Sequence, residues 1–230
     1  MANSDVTKHE EGLNSSTNGF IYIVGSGKLQ NELMAVFLDQ LTGMKCLTGE
    51  DLHSIQEMVD DDSEGKSNLV LLDCQGKSLE RLLGELEACG PELLSRVFVA
   101  LFNVDPRLRI EQEALVRGAR GFFYEQDSLD RFPKGIDTIL DGELWVSREI
   151  MCKCILKQKR LGSFPNRDTT GLTPRETEIL AMVAVGAKNE EIAEKLCISP
   201  HTVKTHIYNI FKKIDVPNRL QAALWAANNL

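Results

Sequence analysis

The sequence predicts an α/β protein, a five-stranded parallel sheet with an extra helix, followed by a small all-α domain. Three observations carry this. Up to residue 140, short apolar runs alternate with helix-like segments; from Leu172 onward only helix-like segments follow. The charge divides at the same place. The chain of 230 residues carries a net charge of −8, yet the part from Leu172 holds seven basic and six acidic residues, a net of +1. The first 171 residues hold 19 basic against 28 acidic, a net of −9.

The apolar runs are FIYIV (20–24), MKCLT (44–48), NLVLLD (68–73), RVFVALF (96–102) and GFFY (121–124). Continuous apolar strands suit a parallel sheet covered on both faces. The segments between them read as helices: GKLQNELMAVFLDQL, EDLHSIQEMV, SLERLLGELEA, RLRIEQEALVRGA and SLDRFPKGIDTIL. Pro133 falls near the start of the last one, where a missing N–H costs little. Five strand-helix units of this size fit the flavodoxin-like strand order 2-1-3-4-5, in which ligands gather beyond the carboxyl ends of the strands. Those ends carry Gly25-Ser26-Gly27-Lys28, Asp73, Phe102-Asn103 and Glu125. GSGK does not make a nucleotide triphosphate cradle: the pattern needs four residues between the glycines and Ser or Thr after the lysine, and Leu29 follows instead.

Thr173-Pro174-x-Glu176 has the form of a helix start, with a capping hydroxyl, proline at the first helical position and a carboxylate three residues past the cap. The apolar stripe Ile179, Leu180, Val183, Ala184 ends at Gly186. A second helix opens at Asn189, Cys197-Ile198 turns the chain, Ser199 caps a third helix, and Asn218 opens a fourth. Two helices joined by a tight turn, the second with an exposed polar face, make a helix-turn-helix. His201, Thr202, Lys204, Thr205 and Tyr208 fall on that face, with Lys212 further along. No acidic residue lies between Ser199 and Ile214. Hydrogen-bonding and cationic side chains without carboxylates suit base edges and phosphates, so double-stranded DNA is the expected partner.

The organisation expected is a disordered tail over 1–18, a sheet domain over 19–143, an extra helix and linker over 144–171, and the DNA-binding domain over 172–230. An apolar content of 43% and a charged content of 26% are ordinary for a globular chain, and no apolar run is long enough to span a membrane. The polar N-terminus has no signal-peptide core, so a cytoplasmic location without membrane contact is expected. Six cysteines, at 46, 74, 89, 152, 154 and 197, form no CxxC pair and have no histidine at zinc spacing. Buried reduced thiols and no bound metal are expected.

From LTPRE through EIA to TVKTH, the last sixty residues resemble the LuxR/NarL-type DNA-binding domain along their whole length. The resemblance implies that Lys204, Thr205 and Tyr208 contact bases and backbone and that the fourth helix dimerises. The sheet domain resembles the receiver domain of response regulators, with Asp73 at the phosphoacceptor position. It departs from that family where GSGK replaces the acidic pair, Glu125 the lysine, and Phe102 or Asn103 the hydroxyl residue. Phosphoryl transfer rests on positive charge arranged around the phosphoryl group, so a degenerate receiver is expected, with phosphorylation of Asp73 as the alternative. The run ISPHTVKTHIYNIFKKI…NRLQAALWAANNL resembles the CsgD/VpsT branch of biofilm regulators.

In VpsT-type members of that branch an extra helix carries W-[FLM]-[TS]-R and binds cyclic di-GMP; this chain reads Trp145-Val146-Ser147-Arg148. The chemistry fits, because guanine stacks on an indole and a guanidinium can present two donors to its O6 and N7. The resemblance implies a non-enzymatic transcription regulator of biofilm matrix genes, a homodimer controlled by cyclic di-GMP. A helix start at Trp145 would place Trp145 and Arg148 on one helical face. Packing of Trp145 against the sheet domain, with the receiver serving only to dimerise, is the bland alternative.

Overall fold

The computed structural model describes residues 19–52, 54–55, 68–94, 96–161 and 171–230. The expected tail, half of the helix expected over 50–59 and residues 162–170 of the linker lie outside the described residues.

Five parallel strands, β1 (Phe20–Val24), β2 (Lys45–Gly49), β3 (Asn68–Asp73), β4 (Val97–Val104) and β5 (Ala119–Tyr124), stand in the order β2-β1-β3-β4-β5. β3 is buried along its whole length, as a central strand covered on both faces must be. Around the sheet run α1 (Lys28–Thr42), α2 (Leu79–Ala88), α3 (Gly90–Leu94), α4 (Glu111–Val116), α5 (Arg131–Leu140) and α6 (Arg148–Leu161). Ser78 caps α2 by accepting a hydrogen bond from the Arg81 N–H. Gly43, in the left-handed region at φ 68°, ends α1 by donating to the Asp39 carbonyl.

Two apolar cores lie on the two faces. One gathers Ile21, Ile23, Leu69, Leu71, Phe102 and Phe123 with Ala35 and Leu38 of α1 and Phe132, Ile136 and Ile139 of α5. The other gathers Val70, Leu72, Val99 and Leu101 with Leu82 and Leu86 of α2 and Ala114 and Leu115 of α4. Cys154 of α6 and Leu220 of the C-terminal domain join this second core. The segment expected as one helix from Arg107 is instead a 3-10 turn, Pro106–Leu108, and the short α4. Arg109 interrupts them with φ 51°, which lets the following Ile110 bury fully.

The C-terminal domain has four helices, α7 (Pro174–Ala184), α8 (Asn189–Leu196), α9 (Pro200–Ile214) and α10 (Arg219–Asn229). Thr173 and Glu176 form the capping box read from the sequence, and Ser199 and Asn218 each cap their helix. Ile179, Val183, Ile192, Val203, Ile207, Ile210, Phe211 and Trp225 share one core.

The six cysteines are free, but only Cys74, Cys89 and Cys154 are buried; Cys152 and Cys197 are exposed and Cys46 is intermediate. The expectation of buried thiols is therefore corrected for these three. Cys152 lies on the outer face of α6, and Cys197 occupies the left-handed turn between α8 and α9. Desolvation pushes the Cys74 and Cys46 thiols up to about 12.

Candidate nucleic-acid interface and ligand site

α8, the turn at Cys197 and α9 form the helix-turn-helix. Val203, Ile207, Ile210 and Phe211 of α9 are buried, which turns His201, Thr205 and Tyr208 outward with Lys212. Thr202 and Lys204 are partly buried. The Thr202 hydroxyl lies 2.8 Å from that of Ser199, inside the cap, and the Thr205 hydroxyl donates to the His201 carbonyl. Lys213 pairs at 2.7 Å with the buried Glu176, tying α9 to the start of α7. The expected face is thus assembled.

One member of that face is already engaged. The Lys204 ammonium lies 2.8 Å from Asp141 Oδ1, in the turn after α5 of the sheet domain. Around this pair the two domains dock. Asn189 donates to the Asp141 carbonyl, Arg219 lies 3.6 Å from Glu143, and Asn218 Nδ2 donates at 2.8 Å to the Leu115 carbonyl. Arg120 of β5 is 4% exposed, with its guanidinium over the rings of Phe98 (4.3 Å) and Phe211 (5.4 Å) and donating to the Pro217 carbonyl. Burial, with Arg219 nearby, pushes the Arg120 guanidinium down to about 9. Burial also raises the Glu143 carboxyl above its ordinary value, against the pull of Arg219 and Lys188. Sequence reasoning missed Asp141, Glu143 and Arg120. The Asp-Gly turn and a lone arginine beside the apolar run 121–124 were the available signals, and neither names a partner.

Trp145 does not lie on a helix. Its N–H donates to the Arg120 carbonyl at 2.8 Å and its carbonyl accepts from the Phe122 N–H at 3.1 Å. Residue 145 thus adds a parallel bridge beside Gly121 at the outer edge of β5. α6 begins only at Arg148, with the Ser147 hydroxyl accepting from the Ile150 N–H at 3.3 Å. The expected helical face shared by Trp145 and Arg148 is therefore corrected: the β5 edge offers unpaired backbone groups, and the segment satisfies them before it can coil. The half-buried indole stacks on Phe123 with centroids 6.4 Å apart, and Arg131 lies over it at 5.4 Å. Val146 packs against the opposite core, while Ser147 and Arg148 are exposed.

Beside this start of α6 lies a cleft of about 560 Å³. Pro106, Arg109, Gln112, Tyr124, Ser147 and Lys153 are among its walls. It stands beyond the carboxyl ends of β4 and β5, where ligands of such sheets collect.

Asp73 is 3% exposed at the end of β3. Its Oδ1 accepts from Asn103 Nδ2 at 2.9 Å and from the Gln75 N–H at 3.0 Å. Asn103, with φ 52°, is thus the residue at the position the sequence left between Phe102 and Asn103. A Cβ on Gly25 would come within 2.5 Å of the Asp73 Cβ, so the residue after β1 is pressed against the carboxylate's own stem. Among the described residues no group of three or more His, Cys, Asp or Glu side chains is placed to hold a metal ion.

The model of bacterial regulatory proteins of the luxR family matches residues 170–226. The CsgBAC operon transcriptional regulatory protein of Escherichia coli (strain K12) is 34% identical over 196 residues, covering 84% of this chain and 87% of the relative. The chain belongs to the LuxR family of bacterial transcription regulators. This LuxR-family regulator is also 30% identical over 127 residues to the nitrate/nitrite response regulator NarL of the same organism, covering 55% and 59% of the two chains. A crystal structure of the CsgD regulatory domain aligns at 18% identity and a TM-score of 0.46, over 60% of this chain and 98% of that one. The LuxR-family regulator binds DNA through its C-terminal domain, and its relatives are regulators of transcription, not enzymes. Among its described residues no helix is long and apolar enough to cross a membrane.

Proposed function

We propose that this DNA-binding regulator is controlled by cyclic di-GMP held at Trp145, Val146, Ser147 and Arg148, that the nucleotide promotes a homodimer, and that its targets are biofilm matrix genes. One observation carries the reading: the four residues occupy the junction where an extended edge segment becomes α6, and Ser147 among them lines the cleft. Arg148 stands exposed at the first turn, where helix N–H groups and a guanidinium together suit a phosphate. A guanine stacks on the indole by taking the place of Arg131, whose guanidinium covers it in the free protein.

The same segment supplies a route to DNA. Asp141 and Glu143, which hold Lys204 and Arg219, precede Trp145 by four and two residues in continuous chain. A ligand that repositions the 145–148 segment acts on the residues that engage α9. It favours an open form only by the difference in its affinity for the two forms. The E. coli relative, which by its name regulates the csgBAC operon, supports this choice of target class.

Calorimetric titration of cyclic di-GMP into the full chain and into Arg148→Ala tests the site. Micromolar or tighter binding by the parent, lost in the variant while the melting temperature is unchanged, supports it. Equal heats from both, or none from either, remove Arg148 from any nucleotide site.

A further inference from the structure

The cleft beside α6 offers more than its contact with Ser147. Four charged side chains line it, Arg109, Glu111, Glu149 and Lys153, two of each sign. Glu149 and Lys153 stand one turn apart on α6 and pair at 2.6 Å, so they neutralise each other. Glu111 accepts the Tyr124 hydroxyl on Oε1 at 3.0 Å, a neutral donor that leaves its charge uncompensated. The Arg109 guanidinium has no ion pair among the described residues, although Glu111 follows it by two positions. A cation and a carboxylate that do not satisfy each other thus line one cavity.

Arg109 is also held where an arginine is costly. Its φ of 51° lies in the left-handed region, which glycine, asparagine and aspartate tolerate best. A glycine would relieve the backbone, so what the position retains is the exposed guanidinium, and residues held this way cluster at ligand sites. The cleft's volume of about 560 Å³ suits a small molecule. Pro106 and Ile150 add apolar surface to walls that are otherwise polar, as a flat ring requires.

Opposite charges in one cleft select a ligand with an acceptor edge and a donor edge side by side. Guanine has both: O6 and N7 accept from a guanidinium, while N1–H and the N2 amino group donate to a carboxylate. Adenine sets its N6 amino group next to N7, where it opposes the guanidinium. We infer that the cleft is a guanine subsite in which Arg109 donates to O6 and N7 and Glu111 accepts from N1–H and the N2 amino group. One consequence rests on the cyclic di-GMP reading. Trp145 packs with the core on one face of the sheet, and Tyr124, Val146 and Ile150 pack with the core on the other. The indole and the cleft therefore lie on opposite sides of the edge segment, and the second base of the dinucleotide takes the cleft. Two linked subsites then bind more tightly than either alone.

Saturation-transfer NMR with GMP and with AMP on the full chain tests the subsite, since the two probes carry the same phosphate and differ in the base. Signals are expected from GMP and not from AMP. Arg109→Gly should abolish them with a melting temperature no lower than the parent's, because glycine suits the left-handed backbone. Glu111→Gln, which keeps an acceptor for Tyr124, should lose the preference for GMP. No GMP signal in the parent, equal signals from GMP and AMP, or undiminished GMP signals in Arg109→Gly would each overturn the inference. In calorimetry, Arg109→Gly should weaken cyclic di-GMP binding tenfold or more. Cyclic di-GMP binding that is lost in Arg148→Ala yet intact in Arg109→Gly overturns the subsite and leaves the proposed function standing. GMP signals abolished by Arg109→Gly, with no heat from cyclic di-GMP in the parent, sustain the subsite and overturn the cyclic di-GMP reading.

Discussion

The Lys204 ammonium sits 2.8 Å from the Asp141 carboxylate, so a cation of the second helix of the helix-turn-helix is held by the turn that follows α5. Asp137, one helical turn earlier, adds a second carboxylate; burial and the Asp141 charge raise its pKa and Lys204 opposes them. Docked this way, the receiver-like domain engages a cation that the sequence assigns to DNA.

Removing the competitor strengthens DNA binding. The pair is partly exposed, and such pairs contribute about 0.2–1 kcal/mol. Asp141→Asn is therefore expected to raise DNA affinity about two- to fivefold in fluorescence anisotropy at fixed salt. An unchanged or weaker affinity would show that the contact does not restrain α9.

Lys204→Ala removes the cation itself. DNA affinity should fall, and the slope of log affinity against log salt should flatten by about one, the share of a single phosphate contact. A lower affinity with an unaltered slope would place Lys204 on a base edge only.

Glu176 gives the C-terminal domain an acid-sensitive tie. Burial pushes its carboxyl up, but hydrogen bonds from Lys213 and from Thr173 outweigh that and hold it below its ordinary value of 4.5. A carboxylate lowered by folding contributes stability that is fully present above the ordinary value and is lost as pH falls through the lowered one. Thermal melts are expected to show this loss below about pH 4.5 in the parent and a flatter profile in Glu176→Gln. Parallel profiles would remove Glu176 from the acid response.

Arg120 is buried at the domain interface with Nη1 lacking a partner among the described residues. Replacing a buried charge by an apolar group of similar volume is often neutral or stabilising by about 1–4 kcal/mol. Arg120→Met should keep or raise the melting temperature, whereas Arg120→Ala, which empties the space between Phe98 and Phe211, should lower it. A large loss in Arg120→Met would mean that the guanidinium bond to the Pro217 carbonyl outweighs its desolvation.

Much of the architecture is written in local pattern. The β3 run NLVLLD coincides with the observed strand because a doubly covered strand is apolar throughout, and Thr173, Ser199 and Asn218 mark their helix starts because a capping side chain acts within three residues. What could not be read depends on partners far along the chain. Trp145 looked like the first turn of a helix, yet the open edge of β5 draws it into an extended bridge. Arg120 fell just before the strand expected over 121–124, and only the arrival of Phe211 and Pro217, about a hundred residues later, buries it.

We propose that a nucleotide at Trp145–Arg148 governs the grip on α9. The most direct measurement is the affinity for a duplex selected from a random pool, with and without saturating cyclic di-GMP, in the parent and in Arg148→Ala. The nucleotide is expected to raise the parent's affinity fivefold or more and to leave Arg148→Ala unmoved. Equal affinities with and without nucleotide in the parent would contradict it.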